Sequence, residues 1–110
     1  MTGLQISEAE WQQQVIDLAH AHGWMCAHFR PARTSKGWVT PVAADGQGFP
    51  DLVLTRERVM FVELKSQRGR LSEQQRLWIV SLRAAGAEVH VWKPDHFDHA
   101  HQTLKDRIDA

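Results

Sequence analysis

Asp51-Leu52-Val53-Leu54-Thr55-Arg56-Glu57-Arg58-Val59-Met60-Phe61-Val62-Glu63-Leu64-Lys65 holds two strand-like runs around a polar turn. Residues 51–54 and 59–65 have strand composition, and the four residues between them are few enough to close an antiparallel hairpin. Val59-Met60-Phe61-Val62 is continuously apolar, which suits a central strand covered on both faces. Because side chains alternate along a strand, Glu63 and Lys65 share one face while Val62 and Leu64 enter the opposite layer. The hairpin brings Asp51, at the start of its first strand, beside the end of its second. Asp51, Glu63 and Lys65 can therefore converge.

Outward from the hairpin the elements follow in order. Ser7-Glu8-Ala9-Glu10 has capping-box form, and Trp11, Val15, Ile16, Leu18 and Ala19 then recur at helical spacing until Gly23. Residues 24–29 read as a strand. Residues 30–48, with Pro31, Gly37, Pro41, Gly46 and Gly48, read as one long loop; loops of that length are usually functional or disordered, and its basic residues favour function. Downstream, Ser72 with Gln75 forms a second capping box, and the helix it opens carries Leu77, Trp78, Leu82 and Ala85 before Gly86 stops it. Residues 88–92 form a further strand, and Pro94 opens a polar, His-rich tail with the option of a last helix through Leu104. The order α-β-β-β-α-β predicts a single α/β domain over residues 1–110. Its sheet is mixed, because the crossover through the second helix makes the last pairing parallel.

With 110 residues, 43% of them hydrophobic, and with five Trp and four Phe, the chain can bury one core. Its longest apolar run is far short of the roughly 20 residues of a membrane span, and no charged-then-apolar leader opens it. A soluble, intracellular, cytoplasmic protein is expected. The one cysteine, Cys26, cannot form an internal disulfide and is expected to be a buried spectator. Thirteen basic residues balance thirteen acidic ones, which argues against a bulk electrostatic binder. The distribution is uneven, however. Arg30, Arg33 and Lys36 lie in the long loop without an acid, and Arg68 and Arg70 follow Lys65, so one face can meet phosphates, although an ordinary solvated surface gives the same pattern.

Hydrolysis of a phosphodiester needs an activated water, neutralisation of developing charge and help for the leaving oxygen. Paired carboxylates are hard oxygen ligands for Mg²⁺ (Mn²⁺ substituting), which retains waters and makes one a better nucleophile. Lys65 beside such a metal is suited to orient the water, stabilise the transition state or exchange a proton. The bare pattern also fits a salt-bridged strand end with Asp51 in an ordinary turn. Its setting weighs the other way, since an unpaired charge ending a wholly apolar strand is costly unless the site uses it.

Gly48-Phe49-Pro50-Asp51-Leu52-Val53, Phe61-Val62-Glu63-Leu64-Lys65-Ser66, Gly69-Arg70-Leu71-Ser72-Glu73-Gln74-Gln75 and Leu82-Arg83-Ala84-Ala85-Gly86-Ala87-Glu88-Val89 together resemble the VRR-NUC domain of the PD-(D/E)XK nuclease superfamily. The resemblance spans Ser7 to about Trp92. It implies a restriction-endonuclease-like mixed sheet flanked by helices and a metal-dependent nuclease acting on branched or flapped DNA. It further implies Asp51 and Glu63 as metal ligands, Lys65 as the catalytic lysine and the carbonyl of Leu64 as a further ligand. Gln75 matches the family's helix glutamine, although its capping box explains it equally well. An acid from the first helix completes the metal site in many superfamily members. Glu8 is favoured for that part, because Glu10 has a capping duty; Glu8 as a simple helix-dipole complement is the alternative.

Seven His invite a zinc reading, but the spacing of His96, His99 and His101 fits no usual pattern and a solvated helix explains them. His28 reads as a satisfied or exposed strand residue. Trp38, in the basic loop, is either a loop anchor or a surface for base stacking. Two other functions compete with the nuclease: a non-catalytic nucleic-acid-binding module on the same fold, and an adaptor whose aromatic, His-rich tail binds another protein. A homodimer is expected, since one site per chain cuts one strand, with Trp92 and Phe97 as the candidate patch.

Overall fold

Helix α1 (Glu8–Ala21) starts where Ser7 Oγ accepts the Glu10 amide and the Glu10 carboxylate accepts the Ser7 amide, so two of the orphan donors at its start are satisfied. Trp11, Val15, Ile16 and Ala19 form its buried stripe. The computed structural model describes residues 5–29, 32–34, 37–39 and 42–108. Strand β1 (Met25–His28) follows α1. The long loop expected over 30–48 contains a hairpin, β2 (Ala32–Thr34) with β3 (Gly37–Val39), whose three-residue strands are too short to register as an alternating pattern.

Strands β4 (Leu52–Thr55) and β5 (Val59–Leu64) form the antiparallel hairpin that the sequence predicts, with Leu52 opposite Val62 and Leu54 opposite Met60. Helix α2 (Glu73–Ala84) then crosses to β6 (Glu88–Trp92), which pairs with β5 in parallel. The sheet order is β1-β4-β5-β6, a mixed sheet. A 3₁₀ turn at Pro94–His96 leads into α3 (Phe97–Lys105), so the optional last helix is present.

One face of the sheet carries Leu52, Leu54, Met60, Val62, Leu64 and Trp92 against Trp11, Val15 and Ala19 of α1 and Ala100 and Leu104 of α3. Two indoles lock this layer from within: Trp11 donates to the Trp92 carbonyl at 3.0 Å and Trp24 to the Leu104 carbonyl at 2.8 Å. Trp92 is therefore core and cannot serve in a pairing patch, whereas Phe97 stays 41% exposed. The opposite face carries Val53, Phe61 and Glu63 and lies under α2. That helix buries Ile79 and leaves Leu77 63% exposed, a different rotation from the one its apolar residues suggest. Cys26 is half-buried opposite Leu54, and burial pushes its thiol pKa up, away from nucleophilic character. Among the described residues no helix is long and apolar enough to cross a membrane.

Candidate active site

Asp51 stands between the buried Pro50 and the first residue of β4. Its Oδ2 accepts the backbone N–H of Leu64 at 2.9 Å, which ties the beginning of β4 to the end of β5. Glu63, one residue earlier on β5, is 1% exposed. Gln75 donates its side-chain amide to Glu63 Oε2 at 3.0 Å, and Lys65 Nζ lies 4.0 Å from the same oxygen. The other oxygen, Oε1, is buried and has no hydrogen-bond donor. The Asp51 and Glu63 carboxyl groups interact as a hydrogen-bonded pair, which requires a proton shared between them, and a cation suits the same place once that proton has left.

The electrostatics agree. Burial, and then the neighbouring Asp51 carboxylate, push the Glu63 pKa up to about 8 against the opposing charge of Lys65. Burial also raises Asp51, countered by the Leu64 amide, Glu63, Lys65 and His28. Glu8 is raised by burial as well, with Lys65 lowering it, Asp51 raising it and the Ser66 amide lowering it. Three acids thus share one lysine, and burial together with their mutual repulsion favours a proton held within the Asp51–Glu63 pair. A divalent cation would displace that proton. The donor set fits Mg²⁺, which needs only one or two carboxylates and keeps several waters. Among the described residues no group of three or more His, Cys, Asp or Glu is gathered as a metal cage. The pair with its orphaned oxygen, rather than a closed cage, is what the chain offers a cation.

Several of the expected residues fall among the described ones. Glu8 comes within electrostatic reach of Asp51 and Lys65, while Glu10 remains engaged in the α1 cap. Gln75 fills both of its readings: its Oε1 accepts the Ser72 amide at 2.8 Å while its amide group holds Glu63. The backbone of Leu64 contributes its N–H to Asp51. Arg68 and Arg70 are exposed on the segment between Lys65 and α2, and among the described residues no ion pair engages them. Arg30 and Lys36 lie outside the described residues, as do the side chains of Arg33 and Trp38. Sequence reasoning missed the Leu64 amide and the influence of His28 on Asp51. The latter depends on the β1–β4 register that sets His28 opposite Leu52, a long-range pairing with no local signature.

A mixed sheet whose central hairpin ends in an aspartate, a glutamate and a lysine, with an acid of the first helix nearby, is the arrangement of a restriction-endonuclease-like nuclease domain. The VRR-NUC domain matches residues 8–94, and the chain belongs to that family, a nuclease-type domain for which DNA is the implied substrate. Among curated proteins none matches the chain. The family match stops short of α3, although Ala100 and Leu104 of that helix are fully buried in the common core.

Proposed function

We propose that the chain is a metal-dependent DNA endonuclease hydrolysing phosphodiester bonds, selective for branched or flapped DNA and acting inside the cell as a homodimer. The observation that carries this reading is the buried Asp51–Glu63 pair, with Glu63 Oε1 lacking a donor and Lys65 4.0 Å from Oε2. Asp51 and Glu63 would hold Mg²⁺ or Mn²⁺, with Glu8 and the Leu64 carbonyl completing the set. The bound ion supplies Lewis acidity toward the scissile phosphate and eases formation of the nucleophile.

The chain's own residues do the rest. Lys65 places a compact positive charge where the phosphoryl oxygens gain negative charge in the transition state. Gln75 keeps Glu63 in one orientation, and the Leu64 N–H keeps Asp51 in another, so the two carboxylates need no reorganisation on binding. Arg68 and Arg70, with Arg30, Arg33 and Lys36, are the phosphate-binding set. Two copies are needed to cut two strands of a branch, one site to each strand.

A panel of labelled flaps, junctions and linear duplexes, incubated with Mg²⁺ or Mn²⁺, tests this reading. Cleavage should require the metal, favour the branched substrates and vanish in Asp51→Asn, which keeps an acceptor for the Leu64 amide. Tight DNA binding with no metal-dependent cleavage would replace the nuclease with a binding module. Light scattering over a concentration series should give twice the chain mass; a monomer that still cuts both strands of a branch in one encounter would remove the dimer.

A further inference from the structure

The segment that delivers Asp51 is fastened to α2 more firmly than a connecting loop requires. Gly48 has φ +86°, and a Cβ there would lie 2.6 Å from the backbone carbon of Gln74, so main chain meets main chain at the first turn of α2. The next residue, Phe49, sets its ring edge-to-face against three others: Phe29 after β1 at 5.5 Å, Phe61 of β5 at 5.9 Å and Trp78 of α2 at 5.1 Å. The Trp78 indole N–H donates to the main-chain carbonyl of Asp45 at 2.9 Å, holding the stretch before Gly48 to the same helix.

None of these rings belongs to the main core, which lies on the other face of the sheet. Their placement has a different consequence. Helix α2 controls both carboxylates, Glu63 directly through Gln75 and Asp51 through the segment pinned by Trp78 and Phe49. Asp51 is also held to the sheet, by the Leu64 amide on its carboxylate and by the Phe29 N–H on its carbonyl, and the seating of that segment on the helix is a further constraint on where the two acids stand.

Resting on the metal-dependent reading above, we infer that Phe49 and Trp78 are positioning residues that fix the Asp51 carboxylate relative to Glu63 for divalent-cation binding. Groups that orient metal ligands typically change affinity 10–100-fold when removed. The aromatic contacts set the height of the segment on the sheet, and the indole N–H sets its slide along α2. Trp78→Phe keeps the ring against Phe49 but loses the N–H, whereas Trp78→Leu loses both.

The test is calorimetric titration of the full chain with Mn²⁺, without DNA and well below each variant's melting temperature. Wild type, Asp51→Asn, Trp78→Phe, Trp78→Leu and Phe49→Leu are compared, with circular dichroism confirming the fold of each. Trp78→Leu and Phe49→Leu should weaken Mn²⁺ binding about tenfold or more. Trp78→Phe should fall between them and wild type, and excess metal should restore most of its cleavage rate. A merely structural role would lower melting temperatures and leave Mn²⁺ affinity unchanged; that result in any folded variant, Trp78→Phe included, overturns the inference. Wild type without Asp51-dependent Mn²⁺ binding would defeat the metal-dependent reading itself, and this inference with it.

Discussion

The β4–β5 hairpin carries charged clusters at both ends, and they are built to opposite rules. At the turn, Arg56 stacks 4.5 Å over Trp24 and donates to the carbonyls of His22, Leu104 and Asp106. Arg58 pairs with Glu88 at 2.7 Å and also reaches the Thr103 carbonyl. Glu57 joins both arginines and accepts the Ile108 amide. Arg56 holds the Glu57 pKa well below the usual carboxylate range. Burial pushes Glu88 upward, but Arg58 and His90 outweigh it and leave it lowered. At the other end three acids face one lysine, Glu63 is raised, and one of its oxygens has no donor. The turn is electrostatically complete and locks the carbonyls ending α1 and α3. The site is incomplete, and a cation would complete it. Burial of charge alone does not mark function; burial with a deficit of counter-charge does.

Two substitutions probe that contrast most directly. Lys65→Ala should lower cleavage by about a hundredfold or more while leaving the fold intact, because on the proposed mechanism the lysine serves transition-state charge rather than the core. Unchanged rates in a folded variant would return the site to an ordinary ion pair. Arg56→Ala should do the reverse, lowering stability by roughly 2–4 kcal/mol in urea unfolding, since the His22 carbonyl loses the side chain that caps it while the Leu104 and Asp106 carbonyls and Glu57 each lose one of their donors. Cleavage by its folded fraction should stay near wild type; a loss of rate exceeding the loss of folded protein would show that the two ends are coupled.

The pH dependence should also differ in sign between the ends. Glu63, raised from 4.5 to about 8, binds its proton in the folded chain first, so metal-free stability should fall as pH rises through that interval. The loss should disappear in Glu63→Gln. Glu57 and Glu88 are lowered, so their contribution is present above the ordinary carboxylate value of 4.5 and is lost as pH falls below it. Unfolding curves at pH 4, 5 and 8 distinguish the two limbs. An identical slope in Glu63→Gln would mean that Glu63 is not the group responsible.

The smallest effect separates two capping boxes. Ser7→Ala and Ser72→Ala should each cost about 1 kcal/mol of stability. Only Ser72→Ala should also weaken Mn²⁺ binding, because it removes the hydroxyl that accepts the main-chain N–H of Gln75, the residue whose side chain holds Glu63. Equal metal affinity in the two variants would confine Gln75 to its cap.

The sequence by itself determined the elements and the hairpin. Capping boxes at Ser7 and Ser72, the apolar run 59–62 and the Glu63/Lys65 alternation act within a few residues of chain, where hydrogen bonding and side-chain period leave little freedom. Family motifs lay on the same local segments, so the convergence of Asp51, Glu63 and Lys65 was legible as well. The short β2–β3 hairpin was not, because three-residue strands carry no readable period. Tertiary structure alone decided which face of α2 turns inward, that Trp92 is core, and that Arg56 and Arg58 seal the ends of α1 and α3. It also decided that the Leu64 amide and Gln75 orient one oxygen each of Asp51 and Glu63 and leave Glu63 Oε1 without a donor. Desolvation and hydrogen-bond stoichiometry depend on atoms brought together from distant parts of the chain, and no local pattern encodes their balance.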